Sequence, residues 1–124
     1  VKDWKIGINT PSITNFENDI ELIISLNNLS IATSGNYRNF YIIDEKLYHH
    51  EINPKTGYPT SSNLGSVSIT SDQSCLDADA LSTMFYTTDN FEIIENLNGV
   101  ESLSILLNDD KTFKKVFSSG FPKN

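Results

Sequence analysis

The apolar runs in this sequence are strand-length. Leu22-Ile23-Ile24 and Ile105-Leu106-Leu107 are examples, and polar or turn-forming residues bound both. A membrane-spanning helix needs roughly 20 consecutive apolar residues, and nothing here approaches that. A chain patterned in this way must build its core from short strands joined by tight turns. Strands are predicted over residues 4–8, 19–26, 29–33, 39–43, 46–50, 66–70, 103–107 and 112–117. Asp44-Glu45 separates two of them at hairpin spacing, and Asn108-Asp109-Asp110 separates the last pair.

The period changes at Ser74. Leu76, Ala80, Leu81, Met84 and Phe85 recur at helical spacing and predict an apolar stripe. Ser74 is placed to cap that helix, with Asp77 as an acidic partner near the positive end of its dipole. A second, shorter helix is predicted over residues 90–97, capped by Asp89 or Asn90 and stopped before Gly99. Strands, then two helices, then strands reads as an α+β fold with a largely antiparallel sheet. Residues 1–124 suit a single domain, long enough to bury roughly 65 % of the unfolded surface.

The net charge of −7 excludes the clustered basic surface that nucleic acid requires, and it disfavours anionic membranes. A phosphate ligand stays compatible, because a divalent cation held by carboxylates can bridge the two. Cys75 is the only cysteine, so no disulfide forms within the chain. No histidine lies near it in sequence, which gives no support to a nucleophilic thiol.

Three stretches carry candidate chemistry. Residues 49–60, "HHEINPKTGYPT", hold both histidines and two of the four prolines. Pro54 and Pro59 fix φ, and Gly57 permits a positive φ, so a stiff exposed loop should present His50, Asn53, Lys55 and Thr56. Lys55 supplies charge for an anion, Thr56 and backbone N–H groups supply donors, and His50 can move a proton near neutral pH. The same residues equally suit a rigid surface turn. In the helix, Asp79 and Thr83 are four residues apart and share a face, flanked by the small Ala78 and Ala80. A carboxylate and a hydroxyl there offer two hard oxygens to Mg²⁺ or Ca²⁺; alone, such a pair is more often plain polar surface. The third stretch is Thr33-Ser34-Gly35-Asn36-Tyr37-Arg38 at a strand end. Ser34 and Gly35 can donate to a phosphate, and Tyr37 or Arg38 can stack on or pair with a ligand; alone it is an ordinary turn.

Taken together, "ATSGNYRNF", "HHEINPKTGYP" and "DADALSTMFY", in this order and spacing, resemble the ApbE family of FAD:protein FMN transferases. "WKIGINTP" near the start resembles the family's Trp-x-Ile-Gly-Ile-x-x-Pro strand. The resemblance runs over essentially the whole chain. It implies a Mg²⁺-dependent enzyme that cuts FAD, attaches FMN to a Thr or Ser of an acceptor protein and releases AMP; some members hydrolyse FAD to FMN and AMP instead. It assigns the metal to Asp79 and Thr83. It assigns the loop at the flavin pyrophosphate to His50, Pro54, Thr56 and Gly57, with His50 as the catalytic proton carrier; Lys55, at a variable position of the pattern, joins them as a cofactor-binding candidate through its charge. Ser34, Gly35 and Tyr37 match the family's other ligand-facing turn. Asn53 stands where the family carries Asp.

Members of the family are more than twice this length. The resemblance therefore implies the C-terminal portion of such a protein, lacking an N-terminal half that completes the adenine and flavin pocket. It implies an exported, periplasmic or lipid-anchored parent. The alternative is a non-catalytic remnant that binds flavin nucleotide or serves as a scaffold.

Overall fold

The computed structural model describes residues 2–12, 19–60, 62–88 and 90–123. Among the described residues there are eight strands: β1 (Trp4–Asn9), β2 (Ile20–Leu26), β3 (Ser30–Gly35), β4 (Phe40–Ile43), β5 (Lys46–His49), β6 (Leu64–Ser71), β7 (Val100–Leu107) and β8 (Phe113–Phe117). One α-helix, α1 (Cys75–Thr88), and one 3₁₀ helix (Phe91–Asn96) lie between β6 and β7. All strand pairings are antiparallel. The central sheet has the order β3-β6-β7-β8; β1-β2 and β4-β5 are separate two-stranded ribbons. The expected α+β class with a largely antiparallel sheet is what the chain adopts.

Strand β6 is buried along its whole length. Its alternation sets the layers. Val67 and Ile69 point to one face and join Ala78, Phe85, Tyr86, Ile94 and Val100 in a core under α1. Ser66 and Ser68 point to the other face, opposite Ile105 and Leu103 of β7. Leu103 and Ile105 pack with Phe121 against Ile8, Ile24 and Leu26 of the β1-β2 ribbon. The sheet is thus covered by a helix on one side and by a ribbon on the other. Strand β3 forms one edge of it, pairing Ser34 with Val67 and Thr33 with Ser68. Successive residues of β3 therefore face opposite layers, and Ser34 looks toward the helix.

The helix starts as expected. The Asp77 N–H donates to Ser74 Oγ at 3.0 Å, and that hydroxyl donates to the Asp77 carboxylate at 2.6 Å. Its buried face keeps part of the expected stripe, since Phe85 is buried and Leu81 packs against the core, and departs from it elsewhere. Ala78, Ser82, Phe85 and Tyr86 are buried, whereas Leu76 is 77 % exposed and Ala80 and Met84 also face outward. The inner face combines the large Phe85 and Tyr86 with the small Ala78 and Ser82, and the small residues let α1 approach β3 and β6 closely, which a count of large apolar residues does not register. The second helix is a 3₁₀ helix rather than an α-helix, and Asn90 makes no side-chain cap. Asp89, the other cap candidate, lies outside the described residues.

The β4-β5 hairpin turns through Asp44 (φ 50°) and Glu45 (φ 61°), the two positive φ values that a tight two-residue connection requires. No helix among the described residues is long and apolar enough to cross a membrane.

Candidate functional site

A cavity of about 470 Å³ opens where β3 leaves the sheet edge. It is walled by the end of β1, by the turn after β3, by the start of the loop following β5, and by one face of α1. Ser34, Gly35 and Tyr37 line it from the turn, His50 and Glu51 from the loop, and Asp79 and Thr83 from the helix. Three stretches widely separated in sequence thus meet in one place. Pro54, Lys55 and Gly57 do not line this cavity, and Thr56 lines a second one behind the loop, beside Tyr48, His49 and Tyr58.

The helix side of the cavity rests on hydroxyl contacts. Ser34 Oγ lies 2.9 Å from Ser82 Oγ and 3.0 Å from Thr83 Oγ1. Ser82 Oγ donates to the Asp79 carbonyl at 2.9 Å. Gly35 is required by space: a Cβ there would fall 2.8 Å from the Tyr37 ring and 2.9 Å from the Gly65 carbonyl. With glycine at this position the Tyr37 ring lies directly against the turn.

The loop side is organised by Asn53. Its N–H donates to the Tyr58 carbonyl at 2.9 Å, and its own carbonyl accepts from the Gly57 N–H at 2.8 Å. Its side-chain oxygen accepts from the Lys55 N–H at 2.9 Å. This last bond needs only an oxygen two residues before the donor, so Asn supplies the turn as Asp would. Gly57 takes a φ of +72° with open space around it.

The adjacent histidines divide their work. His49 is buried. The Glu51 N–H donates to His49 Nδ1 at 3.3 Å, which leaves Nε2 as the protonated nitrogen, and Nε2 donates to the Thr60 carbonyl at 2.9 Å. The ring also stands edge-on to Tyr86. Burial holds the His49 pKa below its ordinary value; the Thr60 bond opposes this and the neighbouring His50 adds to it. His49 is therefore a neutral clamp that closes the loop. One residue on, just past the end of β5, His50 lines the cavity. Its Nδ1 lies 3.2 Å from the Asn39 carbonyl and its Nε2 3.5 Å from Glu51 Oε1.

Glu51 was not singled out by the sequence. It is buried at the cavity wall. Burial raises its pKa, the His50 charge lowers it, and the Asp79 charge raises it. Ser82 was also passed over, although its spacing from Ala78 and Phe85 marks the inner face of α1 once the small residues are counted. Nothing in the sequence signals the burial of Glu51. Among the described residues, no three His, Cys, Asp or Glu side chains group around a metal position. The acidic contribution of α1 to the cavity is the single carboxylate of Asp79, beside the Thr83 hydroxyl.

This is an α+β protein with an antiparallel sheet, one helical cover and a polar cleft at the edge strand. The chain belongs to the ApbE family, whose sequence model matches residues 1–106. It is 35 % identical to an FAD:protein FMN transferase of Haemophilus influenzae, over 98 % of this chain and 35 % of that protein. It is 36 % identical to the FAD:protein FMN transferase of Vibrio cholerae, over 95 % of this chain and 35 % of that one. Among solved structures, the ApbE protein of Thermotoga maritima superposes with a TM-score of 0.76 at 28 % identity, over 98 % of this chain and 38 % of the other. The flavin transferase ApbE from Vibrio cholerae superposes with a TM-score of 0.74 at 32 % identity, over 95 % of this chain and 36 % of that one. The chain thus spans about a third of the length of these relatives.

Proposed function

We propose that this chain forms the C-terminal catalytic part of an enzyme that moves FMN from FAD to a Thr or Ser hydroxyl of an acceptor protein. The observation that carries the reading is the meeting of Ser34, His50, Asp79 and Thr83 around one cavity. A pyrophosphate is a polyanion, and this net-negative chain can hold one only with a cation and directed donors between them.

The donor set fits Mg²⁺. That ion usually takes one or two protein carboxylates and fills its other positions with water and phosphate oxygens. Asp79 supplies the charged oxygen and Thr83 a neutral one, with Ca²⁺ the alternative on the same oxygens. A bound cation here would neutralise charge developing on the phosphoryl oxygens. His50 is placed for the proton. With Nδ1–H donated to the Asn39 carbonyl, Nε2 keeps its lone pair, and the Glu51 carboxyl beside it can balance a positive ring. The acceptor oxygen bonds to the FMN phosphorus, the phosphorus–oxygen bond to AMP breaks, and the acceptor's proton passes to Nε2. Ser34, Gly35 and Tyr37 face the ligand from the turn, while Pro54, Lys55, Thr56 and Gly57 form the outer loop around it. With water in place of the acceptor hydroxyl, the same geometry hydrolyses FAD to FMN and AMP.

The remaining length of such a parent would supply the other walls of the flavin pocket, and the parent would be exported, periplasmic or lipid-anchored. A second reading, a flavin-nucleotide-binding or scaffold module without activity of its own, draws on the share of the relatives' length that this chain spans.

The test is a chimera in which this chain replaces the matching region of the Haemophilus influenzae protein. Single-turnover FMN transfer at saturating FAD should survive the exchange. His50→Ala in the chimera should slow it by on the order of 100-fold with little loss of FAD affinity. Transfer at the unmutated rate in His50→Ala would assign the proton to another group.

A further inference from the structure

We propose that Ser34 and Ser82 are positioning residues that fix the direction of the Thr83 hydroxyl, leaving Thr83 Oγ1 as an acceptor-only oxygen toward the cavity. The inference rests on the cation reading of the cavity and deepens it.

Proton accounting carries the proposal. Three hydroxyls make three links: Thr83 to Ser34 at 3.0 Å, Ser34 to Ser82 at 2.9 Å, and Ser82 to the Asp79 carbonyl at 2.9 Å. A carbonyl can only accept, so the Ser82 proton goes to Asp79. Ser82 must then accept from Ser34, and Ser34 must accept from Thr83. Each hydroxyl has one proton, so this one-way arrangement is the only one that makes all three bonds together. Ser82 is fully buried and Ser34 nearly so at the cavity wall, which shields the Ser34–Ser82 link from water. The chain spans two elements, β3 and α1, and ends on the backbone of the residue whose side chain is the carboxylate ligand.

The consequence is chemical selectivity. An oxygen whose proton is already committed can offer lone pairs to a hard cation but cannot donate to a phosphate. Thr83 therefore recognises the cation and not the anion directly, and a divalent metal is the ligand class it selects.

The test is an electron paramagnetic resonance titration of this chain with Mn²⁺, without nucleotide. Ser82→Ala removes the acceptor that commits the Ser34 proton, so the Ser34–Thr83 bond can reverse and turn the Thr83 proton outward. It should weaken Mn²⁺ binding roughly five-fold. Ser34→Ala, from the strand side, should act in the same direction and answers the question if Ser82→Ala fails to fold. In a Thr83→Val background, Ser82→Ala should have no further effect, because it acts through the Thr83 oxygen. A Ser82→Ala loss that persists there overturns the proposal. Wild-type affinity in Ser82→Ala, with Mn²⁺ binding lost in Asp79→Asn, overturns the hydroxyl chain and leaves the cation reading standing. Equal binding by wild type and Asp79→Asn overturns both.

Discussion

The helix–sheet junction and the loop after β5 face the same cavity and are stabilised by different means. At the junction, Ser34, Ser82, Phe85 and Tyr86 are buried between β3, β6 and α1, and Tyr86 Oη donates to the Leu64 carbonyl at 2.8 Å. The loop and its hairpin carry little apolar burial. Tyr41 is 77 % exposed and Tyr58 71 %, and Ile42 and Ile43 also face outward. Their shape comes from turn chemistry: Asn53, Gly57, the paired positive φ values at Asp44 and Glu45, and the His49 clamp onto Thr60. Packing fixes oxygens to within a fraction of an ångström, as the proposed cation site would require. Turn chemistry fixes a path but leaves the loop's side chains open to solvent.

The sharpest way to break this contrast is to truncate one large side chain on each side. Phe85→Ala should cost about 3–5 kcal/mol, because a fully buried ring leaves a cavity under α1. Tyr41→Ala on the hairpin should stay within about 0.5 kcal/mol. Denaturant unfolding followed by circular dichroism reads both. Comparable losses would mean that the hairpin is as much part of the core as the junction is.

A smaller effect tests the loop's own source of order. Gly57 has a φ of +72° and no atom within 4 Å of a Cβ, so Gly57→Ala meets strain but no clash. It should cost about 1–2 kcal/mol, all of it from the backbone. A neutral Gly57→Ala would show that the turn relaxes freely and that Asn53 and the prolines alone hold the loop.

The smallest effect is in pH dependence, and the two sides of the loop base have opposite signs. The Glu51 pKa is raised in the fold from 4.5, so the fold favours its protonated form. Its contribution to stability is full below pH 4.5 and is lost as pH rises through the raised value. The His49 pKa is lowered from 6.5, so its contribution is full above pH 6.5 and is lost as pH falls through the lowered value. Glu51→Gln should therefore gain stability over wild type at neutral pH, with the difference closing on acidification below 4.5. Thermal melts of the two proteins from pH 4 to pH 8 measure it. A difference that stays constant across that range would show that the Glu51 carboxyl acts through shape and not through charge.

Much of this molecule was legible from local chemistry. Strand positions followed from apolar runs and the turn residues between them, and the Ser74 cap follows from a rule that needs only neighbours in sequence. The resemblance of three motifs pointed to Ser34, His50, Asp79 and Thr83, and those residues share one cavity in space. Apolar periodicity finds Phe85 and Leu81 on the inner face of the helix but not Ala78 and Ser82, because hydrophobicity alone cannot see tight packing of small residues. Other features could be decided only by the tertiary structure. Adjacent histidines are chemically identical in sequence, and it is the fold that buries His49 at the end of β5 as a neutral clamp and places His50, one residue past the strand, at the cavity. Glu51 is an ordinary acidic residue until the fold removes its water. The direction of the Thr83 hydroxyl depends on Ser34, which is 49 residues away along the chain. Sequence sets which donors and acceptors a segment owns; their orientation and protonation depend on which partners the fold brings within hydrogen-bond reach.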